Sequence, residues 1–134
     1  MYWRNIYAHI IFENNMTYLN SNQLKQYNDE GFVSPVNIFS KEKAKEIRDE
    51  IELIEKKLPN ELEKTGRYNA HLISPMLDEV THNENILNAV ESLIGGNILV
   101  CGTTLFIKNP NEGGFVSYHQ DAKYIGLEPL NWVT

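Results

Sequence analysis

Residues 97–108 read NILVCGTTLFIK, and this run restricts the fold more than any other segment. Its β-branched and apolar side chains fall on both alternating faces, which predicts a strand buried on both sides. Such a strand needs a layer above and a layer below, and the rest of the chain has to supply them. Residues 109–114, NPNEGG, carry turn chemistry. Residues 115–121, FVSYHQD, then read as a second strand pairing with the first. The single cysteine, Cys101, lies inside the apolar run. One thiol makes no internal disulfide, so an inert core thiol in a reducing, cytoplasmic compartment is expected.

Helices are predicted on the N-terminal side. Asn20 or Ser21 can cap a short one carrying Leu24 and Tyr27, with Gly31 as its stop. In residues 32–39, FVSPVNIF, Pro35 and the β-branched Val33, Val36 and Ile38 favour extended chain. Ser40 can cap a longer helix whose apolar positions are Ala44, Ile47, Ile51, Ile54 and Leu58. That spacing makes one stripe of an amphipathic helix, and Pro59 ends it. Residues 60–80 read as a loop with short pieces of structure. Asn83 can cap a further helix with Ile86, Leu87, Val90, Leu93 and Ile94 inward, stopped by Gly95 and Gly96.

At 134 residues the chain has one domain's length, enough to bury roughly two thirds of its unfolded surface. Composition narrows the function. Net charge is −6, which argues against a broad nucleic-acid surface. The Glu residues lie off the helix stripes, so the acidic excess reads as solvated faces. No apolar stretch reaches the roughly 18 residues of a membrane helix. Residues 1–15, MYWRNIYAHIIFENN, make a poor signal peptide. They are expected to be a non-native or disordered extension, with Met16 as the natural start.

The chemistry concentrates in His119, Gln120 and Asp121. On a strand, residues i and i+2 share a face, so the imidazole and the carboxylate can approach one metal ion. A neutral imidazole with a carboxylate suits Fe(II), Mn(II) or Zn(II). One more His would complete the facial set of non-haem Fe(II) oxygenases. The spacing alone also fits a hydrogen-bonded His–Asp pair at a strand end. His9, His71 and His82 lie in segments with no partner ligand at useful spacing, and read as surface or satisfied polar positions.

Residues 105–134, LFIKNPNEGGFVSYHQDAKYIGLEPLNWVT, resemble the region around the first two iron ligands of the phytanoyl-CoA dioxygenase family. The similar elements are an apolar strand ending in Lys, a Pro/Gly turn, aromatic-H-Q-D, Y-x-G-L-x-P, and a strand opening W-V-T. LKQYNDEGFVSPVNIFSKEKAKEI and NILNAVESLIGGNI also resemble the family's earlier helices. The resemblance runs in order over about residues 17–134.

It implies an Fe(II)- and 2-oxoglutarate-dependent dioxygenase that uses O2 to hydroxylate an aliphatic C–H of a small organic substrate. His119 and Asp121 would be the first two iron ligands. Lys108 would help hold the 2-oxoglutarate carboxylate. Gln120, Tyr118 and Tyr124 would line the pocket for substrate. The carboxylate at Asp121 occupies the place that related halogenases leave for halide, which favours hydroxylation. The implied fold class is α+β, with N-terminal helices packed on the first strands of an incomplete double-stranded β-helix of jelly-roll or cupin-like form.

The chain departs from the family in one respect. Members carry a second ligand His and a 2-oxoglutarate-binding Arg after H-x-D, and no His or Arg follows Asp121 here. Residues 16–134 are therefore expected to be the N-terminal part of such a domain, truncated before the second ligand His and inactive as this fragment. Exposed strand edges would favour self-association. The alternatives are a non-catalytic binding or structural protein, and a hydrolytic zinc site, for which no nucleophile or general base stands out near 119–121.

Overall fold

A computed structural model describes residues 18–58, 68–106, 111, 113, 115–117, 119–129 and 131–134. The expected extension at 1–15, with Met16 and His9, lies outside the described residues. So do Pro59, Lys108 and Tyr118.

The helices form where local chemistry starts and stops them. Helix α1, Ser21–Glu30, is capped by Asn20, whose side chain accepts from the N–H groups of Asn22 and Gln23. Gln23 reaches back to the Asn20 N–H at 3.0 Å, closing a capping box. Gly31 ends the helix at φ 78, where a side chain would be strained. Helix α2, Lys41–Lys57, opens on Ser40, which accepts from Lys43 N–H at 3.2 Å. Its outer face carries Arg48–Glu52 at 2.6 Å, Lys43–Glu46 at 3.0 Å, and Lys45–Asp49. These exposed pairs contribute little individually, and they place much of the acidic charge in solvent.

A 3-10 turn at Ala70–Leu72 leads into α3, Pro75–Thr81. This helix stands where the sequence predicts a loop with short structure. Ser74 caps it by accepting from Leu77 N–H, and Pro75 takes the first turn, where a missing N–H costs nothing. Helix α4, Glu84–Ile94, is capped by Asn83 and stopped by Gly95 at φ 85, ψ 174, a region open only to glycine. The last helix, α5, is the short turn Ala122–Ile125, ended by Gly126.

One cluster holds the centre. Ile54 of α2, Ala70 of the 3-10 turn and Leu77 of α3 are buried together. Ile47, Ile51 and Leu105 pack against them. The stripe on α2 is thus used for packing in its C-terminal half, while Ala44 and Leu58 stay exposed. On α4 the five apolar positions are half-buried. Leu19 is buried to 1 % exposure, and its N–H meets the Ser92 hydroxyl of α4 at 3.4 Å.

The expected α+β class with an incomplete double-stranded β-helix is not what forms. The described residues contain helices and irregular chain, and no strand. The single pairing is an isolated antiparallel bridge between Tyr68 and Thr104. Asn69 N–H adds a bond to the Thr103 carbonyl at 2.6 Å. Among the described residues, 97–106 do not pair with 115–117 or 119–121, and Trp132–Thr134 is not a strand either. The physical reason is that an apolar, β-branched run supplies only the side chains of a strand. Its backbone still needs a continuous ladder of partners, and one bridge is not a ladder.

The burial expected for that run also fails. Leu99 is 71 % and Phe106 79 % exposed, with Leu105 turned to the core cluster instead. Cys101 is exposed, so it is not the core thiol the sequence predicts. Among the described residues no helix is long and apolar enough to cross a membrane.

Candidate metal centre

The site is built where residues 115–121 run into α5. Asp121 has helical backbone angles, φ −61 and ψ −40, and its carbonyl accepts from Tyr124 N–H at 2.9 Å. The strand alternation expected to align His119 and Asp121 is therefore broken at Asp121. The two side chains meet across a bend instead. Asp121 precedes the helical turn without using its carboxylate as a cap, so both oxygens are spent elsewhere.

One oxygen, Oδ1, lies 3.0 Å from His119 Nε2. The other, Oδ2, accepts from the Thr134 hydroxyl at 3.2 Å. On the far side of the imidazole, Nδ1 lies 2.7 Å from the Ser117 carbonyl oxygen. A carbonyl only accepts, so Nδ1 carries a proton and donates it. In the neutral ring, Nε2 then presents a lone pair to a carboxylate oxygen. Two acceptors facing each other at 3.0 Å call for a cation.

A proton is one such cation. The Ser117 hydrogen bond holds the His119 imidazolium above the usual histidine range. Partial burial opposes it, and the charge and hydrogen bond of Asp121 add to it. Because the folded value is raised, the pair's contribution to stability is fully present below the unfolded value. It is lost as pH rises through the folded one. In an NMR pH titration His119 is expected to titrate above the roughly 6.5 of a solvated histidine, and Asp121→Asn to lower the midpoint. A wild-type midpoint at or below that of a solvated histidine contradicts this geometry.

A metal ion is the other cation. Two ligands bound at about 2.1 Å and at right angles stand about 3.0 Å apart, which is the Nε2–Oδ1 separation found here. The pair thus fits two adjacent coordination positions of one ion. Both side chains are about two-fifths exposed, so an ion held there would be open to solvent or to a ligand. Among the described residues no third His, Cys, Asp or Glu joins them.

The remaining expected site residues sit less tightly. Gln120 is exposed, and Tyr124 is 80 % exposed, so neither is packed against a pocket wall among the described residues. Lys108 and Tyr118 lie outside the described residues. His71 Nδ1 is 2.9 Å from the Thr103 hydroxyl, in the contact between the 3-10 turn and residues 102–104. His82 Nδ1 is 2.9 Å from the Asp78 carbonyl, at the end of α3. Both are engaged by groups other than Asp121. Sequence reasoning missed Ser117, whose carbonyl sets the tautomer, and Thr134. The Ser117 contact is a local i−2 bond, whereas Thr134 arrives from thirteen positions away and leaves no spacing signal.

The family model described as Phytanoyl-CoA dioxygenase (PhyH) matches residues 27–134. The matched stretch includes His119 and Asp121. No curated protein and no solved structure matches the chain.

Proposed function

Because the chain belongs to the phytanoyl-CoA dioxygenase family, we propose that it carries two ligands of an Fe(II) site in a 2-oxoglutarate-dependent oxygenase. The observation that supports this most is the convergence of His119 Nε2 and Asp121 Oδ1 at 3.0 Å, with the proton kept on Nδ1 by its hydrogen bond to the Ser117 carbonyl. His119 gives the ion its Nε2 lone pair. Asp121 gives one carboxylate oxygen and neutralises part of the ion's charge. Neither group is asked to move a proton. When bound, Fe(II) with 2-oxoglutarate and O2 supplies the oxidation that hydroxylates an aliphatic C–H of a small organic substrate, with succinate and CO2 as coproducts. Lys108 offers a cation for the 2-oxoglutarate carboxylate, and Gln120, between the two ligands in sequence, and the exposed Tyr124 are available for substrate contact. Leu99, Phe106 and Phe115 are exposed apolar side chains that favour self-association at high concentration.

A second reading, a non-catalytic binding or structural protein, draws on one observation. No third ligand joins the pair among the described residues.

Anaerobic titration with Fe(II) and 2-oxoglutarate tests both. With two ligands among the described residues, the 134-residue chain is expected to give only faint visible charge-transfer absorption, lost in His119→Ala. A strong band would contradict the two-ligand account. Faint absorption that survives His119→Ala would remove His119 from the site. No absorption and no Fe(II) retention would favour the non-catalytic reading.

A further inference from the structure

We propose that Thr134 is a positioning residue for Asp121, holding its carboxylate so that a single oxygen faces the metal position. The inference rests on the reading of His119 and Asp121 as metal ligands.

A free carboxylate rotates, exchanges its two oxygens, and can bind an ion through one or both. Here Oδ2 is taken by the Thr134 hydroxyl at 3.2 Å. That hydroxyl is itself oriented. The Trp132 indole N–H lies 2.9 Å from Thr134 Oγ1, and an indole N–H can only donate. The Thr134 oxygen therefore accepts from Trp132, and its one proton is directed to Asp121. The bonds run one way, from Trp132 to Thr134 to Oδ2, and leave Oδ1 turned to His119.

The Ser117 carbonyl does the matching task on the imidazole, accepting from Nδ1–H and leaving Nε2 free of that proton. Each side chain has its outer atom engaged and its inner atom exposed to the shared position. Supporting partners of this kind orient metal ligands and set their basicity. The consequence for coordination is specific. With Oδ2 engaged, Asp121 fills one position and not two, and an adjacent position stays open for a small ligand.

The test compares Thr134→Val, which keeps the shape and removes the hydroxyl, with Thr134→Ser, which keeps the hydroxyl. Both are made in the full 134-residue chain. In metal-free protein the 13C resonance of the Asp121 carboxylate is expected to move in Thr134→Val and to stay in Thr134→Ser. With Mn(II) as the probe, Thr134→Val is expected to weaken binding by about tenfold, and Thr134→Ser to restore it. Trp132→Phe, which leaves the hydroxyl unsteered, is expected to fall between them. Wild-type Mn(II) affinity in Thr134→Val overturns the proposal, whether or not the carboxylate resonance moves. Failure of Thr134→Ser to restore binding also overturns it, since bulk and not the hydroxyl would then matter. Wild-type chain that binds no Mn(II) at all would instead sink the metal reading on which this proposal stands.

Discussion

Leu77→Ala is expected to lower the unfolding free energy by about 3 kcal/mol, read as a fall in the urea midpoint at unchanged slope. Leu77 is buried in the cluster with Ile54 and Ala70, on which Ile47, Ile51 and Leu105 pack. Removing its outer carbons loses their transfer energy and opens a cavity between α2, α3 and the 3-10 turn. Each element is held rigid by its own internal backbone bonds, so the gap collapses only in part. A domain with a typical 5–15 kcal/mol to lose gives up a large share in this one change. The core is also small: Leu19, Ile54, Ala70 and Leu77 are the buried apolar residues among those described. Phe106→Ala is the control. Phe106 is larger but 79 % exposed, so its loss is expected to stay within about 0.5 kcal/mol. Equal effects at Leu77 and Phe106 would mean that the cluster is not the centre of the fold.

The second large effect is on metal binding. His119→Ala and Asp121→Ala are each expected to abolish Mn(II) binding, a loss beyond the roughly 10–100-fold that follows removal of a supporting partner. Among the described residues the pair has no third ligand to take over, and either change leaves a lone side chain two-fifths exposed to water. Stability is expected to change little, because both groups sit at the surface, away from the core cluster. A variant that folds like wild type and still binds Mn(II) at wild-type strength contradicts the assignment. His71→Ala is expected to leave binding intact, since its Nδ1 is held by Thr103.

Which parts were legible in the sequence follows from how far apart the cooperating residues are. Helices α1, α2 and α4 were readable because their caps are local. Asn20, Ser40 and Asn83 each bond to N–H groups within three residues, and Gly31 and Gly95 stop the chain where only glycine is unstrained. Helix α3 carried the same kind of signal in Ser74-Pro75, and it was obscured by the irregular, polar stretch before it. The run at 97–106 misled because apolar alternation describes side chains, whereas a strand is defined by its partner. That partner is a long-range property, and here it amounts to the Tyr68–Thr104 bridge.

The site shows the same division. His119 and Asp121 come together as their spacing suggests, but through a helical bend at Asp121 and not through strand alternation. The Thr134–Asp121 bond joins residues thirteen positions apart, and no pattern in either segment announces it.

The central claim is that one cation sits between His119 Nε2 and Asp121 Oδ1. Paramagnetic line broadening by substoichiometric Mn(II), followed residue by residue in the NMR spectrum of the 134-residue chain, tests it most directly. The imidazole protons of His119 and the backbone signals of Asp121 and Thr134 are predicted to broaden first, with His71, His82 and the acidic face of α2 still sharp. Broadening that begins on α2, at Glu46 or Glu52, or at His82 while His119 stays sharp would contradict the account.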